Sequence, residues 1–218
     1  PHLIAQMCRL LWLRAAKPID VTQHLRAFAA ICENSSEYQG HGWGCAWLED
    51  DQWCFHHSIT PVWEDVLDSF KKTSLFLAHA RSAFRDEGIR VENNMPFANE
   101  NRIFIFNGEL SGVRIRESGR IGAEKIFNYT NRFSRLGALP GLRKAVEVIE
   151  KRTRYIRAMN LIMATPQQSL LATYYNENQN YFQMHRASTD QLEIVCSEPY
   201  PLPGADWQTI ENRTVKEL

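Results

Sequence analysis

The chain has 218 residues, 44% of them hydrophobic and 23% charged, with 25 basic side chains against 25 acidic ones. That is enough chain for a domain with a sizeable core. Zero formal charge excludes a dominant nucleic-acid binder, which needs a basic face to release counterions, and no apolar run approaches the ~20 residues of a membrane span. In chain order, residues 8–13, "CRLLWL", read as a buried strand. Asp20 reads as the N-cap of an amphipathic helix over 21–33, where Val21, Leu25, Phe28, Ala29 and Cys32 recur at helical spacing. "ENSSEYQGHG" is a polar loop, and residues 43–48 and 52–57 form a hairpin across the acidic turn "EDD". A short helix is expected over 62–71 after Pro61, then strands at 74–81 and 102–108, then helices over 122–131 and 138–153. Strands at 158–165, 169–175, 180–186 and 192–197 complete the chain. No repeat or linker interrupts it, so a single domain over 1–218 is expected. Strands, then helices, then strands again predict an α+β fold of two packed antiparallel sheets with helices outside.

The chemistry-bearing residues are few. Cys8, Cys32, Cys45, Cys54 and Cys196 show no C-x-x-C spacing and are odd in number, which fits the reducing cytoplasm better than a disulfide framework. Arg9 breaks the first apolar stretch and no small-residue cleavage site follows, which argues against a secretory signal. No metal is expected: His56 and His57 are adjacent on a strand and face opposite ways. "GHGWG" (40–44) lacks the Lys and Ser/Thr of a phosphate loop and reads as a tight entry into a strand. The basic run "EKRTRYIR", with Arg152, Arg154 and Arg157, reads as a solvated helix end. Four positions remain. Cys8 is either a nucleophile or a small buried hydrophobe. Arg81, at a strand end, holds either a carboxylate or a surface ion pair. Asn107 and Gly108, at another strand end, form either an oxyanion hole or a hairpin turn.

The segments "MCRLL", "HGWGCAW", "HARSA", "ENNMPF", "FNGEL" and "CSEP" occur in this order along the chain. In that order they resemble the class II glutamine amidotransferases of the Ntn-hydrolase superfamily, in particular the small stand-alone type, over nearly the whole length. The resemblance implies a four-layer αββα sandwich and an amidase that cleaves a glutamine-like or γ-glutamyl amide through a thioester. Cys8 matches the nucleophile, with its own α-amine as general base. Asn107 and Gly108 match the oxyanion hole, and Arg81 matches the clamp for the substrate α-carboxylate. Gly122 falls where relatives carry the aspartate that receives the substrate ammonium, with Glu124 two residues on as a substitute. Other departures are His41 for Asp, Met95 for His and Phe106 for His. The implied partners are a small-molecule amide and a separate ammonia-accepting subunit, with no cofactor, nucleic acid or membrane. Such chemistry requires residues 1–7, a propeptide or upstream extension, to be removed before Cys8. The alternative is a catalytically impaired Ntn-fold binding or regulatory subunit. The intact mass of the purified chain separates the two.

Overall fold

The computed structural model describes residues 7–218. Within it the chain forms two compact units, residues 7–96 with 184–210, and residues 97–183 with 211–218. The segment ahead of residue 7, where the propeptide is expected, lies outside the described residues.

The first unit is built on a seven-stranded antiparallel sheet. Its strands are β1 (Arg9–Ile19), β2 (Trp43–Glu49), β3 (Gln52–Ser58), β4 (Thr73–Ala80), β9 (His185–Ser188), β10 (Leu192–Cys196) and β11 (Asp206–Thr209), in the order β11-β9-β10-β1-β4-β2-β3. β1 lies inside the sheet, paired with β10 on one side and β4 on the other. Leu10, Leu11, Trp12 and Leu13 are all fully buried, which explains why this strand reads as an unbroken apolar run. Helix α1 (Thr22–Glu33) turns Leu25, Phe28, Ala29 and Cys32 toward Leu11 and Leu13 of β1 and Phe76 and Ala78 of β4, and these side chains form one apolar core. Val21 stands at the N-cap without a side-chain bond, and Asp20, expected to be the cap, lies one residue earlier and accepts the Thr22 N–H at 2.8 Å. The β2–β3 hairpin closes through Asp50 and Asp51, both at positive φ, as a tight two-residue turn requires.

The second unit carries a five-stranded antiparallel sheet in the order β12-β8-β7-β6-β5. The strands are β5 (Phe97–Asn99), β6 (Arg102–Val113), β7 (Thr153–Ala164), β8 (Ser169–Thr173) and β12 (Thr214–Glu217). Between β6 and β7 lie helices α2 (Gly122–Asn131) and α3 (Ala138–Lys151). α3 buries Leu142, Ala145, Val146 and Ile149, a helical stripe, and packs on β7 and β8. The chain is therefore α+β with two antiparallel sheets, as expected.

Two expected elements are corrected. Over 62–71 only the turn Val62–Glu64 is helical. Asp65 is held extended because its carboxylate accepts Trp43 Nε1–H at 2.8 Å, lies 3.0 Å from His56 Nε2 and accepts the Val66 N–H at 2.8 Å. The strand expected at 180–186 is instead a single helical turn, α4 (Gln179–Phe182), followed by β9. Asn178 starts that turn in the left-handed region, and the Phe182 carbonyl accepts Asn160 Nδ2–H at 2.7 Å. Such side-chain bonds come from residues distant in sequence and override local pattern.

Candidate active site

Three strand ends meet around Cys8 in the first unit. Arg9 pairs with Ala80 and Ala80 with Trp43, so the start of β1, the end of β4 and the start of β2 share one rim of the sheet. Beyond the ladder, Arg81 N–H donates to Gly42 O at 2.9 Å, and His41 N–H donates to Arg81 O at 3.2 Å. Gly42 is at φ +107°, and a Cβ there would lie 2.3 Å from Asn94 Nδ2, so both conformation and space demand glycine. The Cys8 sulfur, half-buried, accepts the Ser82 N–H at 3.5 Å and lies 3.8 Å from Ser82 O. Burial pushes the Cys8 thiol up to about 11, against the opposing pull of the Ser82 N–H and the Arg81 charge. At neutral pH it is a thiol and needs a base to attack. The carbonyl of Met7, just before it, accepts Gln39 Nε2–H at 2.6 Å.

Arg81 lies in the same rim, 5% exposed. Its guanidinium donates to Gly88 O at 2.8 Å and, more weakly, to Glu87 O at 3.5 Å. Burial lowers its pKa, and the charge opposing that effect is Cys8. No carboxylate among the described residues lies within ion-pair distance of it. A buried guanidinium satisfied by carbonyl oxygens and lacking a counter-charge is disposed to receive an anion.

Arg9 and the segment "CSEP" have structural work. Buried Arg9 pairs with Glu198 and donates to Ser35 Oγ at 3.2 Å, while Leu10 N–H donates to Ser197 Oγ at 2.8 Å. His79 is fully buried, in register with Leu10 and Gly44 inside the sheet. Met95 is buried, and its carbonyl lies 2.3 Å from where a Gly44 Cβ would stand.

In the second unit, Asn107 and Gly108 lie on β6 opposite Asn160 and Met159 of β7, not in a hairpin turn. Asn107 is 1% exposed, and both polar atoms of its side chain are buried without a hydrogen-bond partner among the described residues. A Cβ at half-buried Gly108 would stand 2.4 Å from Ala158 O. Phe106 is buried and stacks on Phe104, the rings 6.1 Å apart. Gly122 is the exposed first residue of α2, with open space where a Cβ would project. Glu124 is bound to Arg120 through its guanidinium, at 2.6 Å, and through its N–H, at 2.5 Å. That contact closes the helix start and occupies the charge expected to substitute for an aspartate at 122. Arg152 and Arg154 are exposed, and Arg157 pairs with Glu109 and Glu177 at 3.3 and 3.2 Å.

The structure thus brings Cys8 and Arg81 onto one rim and places Asn107 beside Gly108. Ser82 went unread in the sequence, although it follows Arg81 directly. His41, read only as a departure, donates and accepts hydrogen bonds in the rim itself.

No family model matches the chain, and no curated protein matches its sequence. Solved structures match its fold. A glutamine aminotransferase class-II domain protein from Silicibacter pomeroyi is 17% identical, with 93% of this chain and 99% of that one covered and a TM-score of 0.62. The glutamine phosphoribosylpyrophosphate amidotransferase of B. subtilis is 12% identical, with a TM-score of 0.69 over 97% of this chain and 49% of that one, so this chain spans about half its length. A predicted glutamine amidotransferase from Pseudomonas aeruginosa is 15% identical, with 97% and 94% covered and a TM-score of 0.50. The chain therefore shares the fold of these glutamine amidotransferases. At these identities the likeness is one of fold.

Proposed function

We propose that the protein is an N-terminal-cysteine amidase that hydrolyses a glutamine-like or γ-glutamyl amide through a thioester once residues 1–7 are removed. The observation that carries this reading is Arg81, a buried guanidinium without a carboxylate partner among the described residues, adjacent in sequence to the residue that holds the Cys8 thiol. In this reading Arg81 binds the substrate carboxylate. The freed α-amine of Cys8, titrating near pH ~8, takes the thiol proton. The thiolate adds to the amide carbon, and the Asn107 side-chain amide and Gly108 N–H receive the oxyanion. The C–N bond breaks as the α-ammonium returns its proton to the leaving nitrogen. Water then cleaves the thioester, regenerating the thiol and releasing the acid. The ammonia or amine leaves to solvent or to an acceptor subunit. No cofactor enters these steps, and five cysteines without a disulfide fit a cytoplasmic setting.

Gly122 sets the substrate class in this reading. An ammonium bound beside exposed position 122 gains from a counter-charge there, about 1 kcal/mol or less for a solvated pair. Glycine offers none, and Glu124 is already bound to Arg120. Free L-glutamine is therefore a poor substrate, and an amide whose α-nitrogen is acylated, alkylated or absent is a better one. The test is a panel of glutamine, N-acyl glutamine, a γ-glutamyl thiol compound and glutarate monoamide, on protein shown by mass to begin at Cys8. Cys8→Ala is expected to abolish turnover of every accepted member, and Arg81→Ala to raise KM. Undiminished turnover by Cys8→Ala would exclude the thioester route; efficient glutamine hydrolysis would exclude the role given to Gly122.

A further inference from the structure

We propose that His41 is a positioning residue: its neutral imidazole pins residues 81–83 against Cys8, and its protonation releases them. The effect on turnover rests on the amidase reading; the clamp itself does not. Three hydrogen bonds join His41 and its neighbour to this segment. His41 N–H donates to Arg81 O at 3.2 Å, Gly42 O accepts Arg81 N–H at 2.9 Å, and His41 Nδ1 lies 2.9 Å from the Ala83 nitrogen, whose N–H donates to it. Between the anchored peptides lies Ser82, whose N–H addresses the Cys8 sulfur. Arg81, the guanidinium of the rim, projects from the same three residues. Movement of Ala83 therefore displaces both groups on which the site depends.

The tautomer follows from the donors. A backbone N–H can only donate, so Nδ1 is bare and the ring proton sits on Nε2, 3.2 Å from Asp86 Oδ1. An imidazolium would set N–H against N–H at Ala83 and open the clamp. The titratable groups facing His41 are Asp86 and Arg81 from the 81–86 segment, and Tyr38 from its own loop, its ring centroid 5.0 Å away and edge-on. Burial holds the imidazole below its ordinary range; Asp86, itself 65% exposed, opposes this, and Arg81 reinforces it. The clamp is therefore closed at neutral pH and opens on the acid side of pH ~6.5.

His41→Asn is the discriminating variant, because an asparagine Oδ1 stands where Nδ1 stands, accepts the same N–H and does not titrate. Amide hydrogen exchange on the full chain is expected to show wild-type Ala83 protection falling about tenfold per pH unit below the His41 pKa, after correction for intrinsic rates, and no such fall in His41→Asn. In protein beginning at Cys8, log kcat/KM is expected to rise with a slope of about one below the α-amine pKa, steepening toward about two at the acid end in wild type only. His41→Ala is expected to lose at least about tenfold in kcat/KM across the range. Wild-type protection indifferent to pH would overturn the clamp, and that profile decides alone if His41→Asn does not fold. The same acid steepening in His41→Asn would overturn the positioning role. Protection that titrates in a protein that cleaves no amide would uphold the clamp and refute the amidase reading.

Discussion

Asn107 and Asn160 stand directly opposite each other on β6 and β7, both buried, and their side chains meet opposite fates. Asn160 is satisfied: its Nδ2–H donates to Phe182 O at 2.7 Å, and its Oδ1 accepts from Thr173 Oγ1 at 2.6 Å. Asn107 finds no partner on either atom among the described residues. A buried unsatisfied polar group costs on the order of 1–3 kcal/mol, so the fold gains nothing from this amide. In the proposed reaction its use is to donate to the oxyanion. Asn107→Ala is expected to lower kcat about 10²- to 10³-fold, the loss usual for one oxyanion donor, while the melting temperature holds or rises. Asn160→Ala, by contrast, is expected to lose about 1–3 kcal/mol of stability, since it strands the Thr173 hydroxyl. Thermal melts and amide turnover on both variants check the contrast. A matched fall in stability for Asn107→Ala would assign that residue to the fold and not to the reaction.

Elements whose register is set by their own apolar period were legible in the sequence, and those set by distant side chains were not. α1, α2 and α3 show a buried stripe at helical spacing, and the structure has all three. β5, β11 and β12 were missed because three or four residues are too few to establish a period of two. Residues 62–71 failed as a helix because Trp43 and His56 bind Asp65 from outside the segment. The start of α2 offers a test at this scale. Gly122 is its first residue, and a side chain there meets open space. Gly122→Asp removes a glycine from a helix and adds an anion to its first turn, together about 1 kcal/mol of stabilisation. It also supplies the carboxylate missing from the proposed ammonium site. Urea titration is expected to show the gain, and free glutamine to become the better substrate relative to N-acyl glutamine. Stabilisation without that change in preference would remove position 122 from substrate recognition.

For the molecule as a whole, motif order led to the fold, but not to the environment of the residues it singles out. Nothing in "MCRLL" foretells that the Cys8 thiol is half-buried against Ser82, or in "HARSA" that the arginine finds no carboxylate among the described residues; both depend on which strand ends the sheet brings together. The same burial acts on most of the cysteines at once. Desolvation pushes Cys8 up to about 11 and Cys196 up to about 12, and raises Cys32 and Cys45 well above the ordinary thiol range. In an unfolded chain these thiols ionise near pH ~8.5. Their folded values lie higher, so above that pH the unfolded state has released protons that the folded state keeps. Their contribution to stability is therefore complete below pH ~8.5 and is lost progressively as pH rises toward about 11 and beyond. The urea midpoint is expected to fall through this alkaline window. Cys196→Ala, though less stable at neutral pH for want of packing, is expected to fall less steeply, by up to about 1.4 kcal/mol per pH unit for the one proton removed. An unchanged alkaline slope in that variant would mean that the Cys196 thiol ionises as readily inside the fold as outside it, and that its burial is not what the packing of β1 and β10 implies.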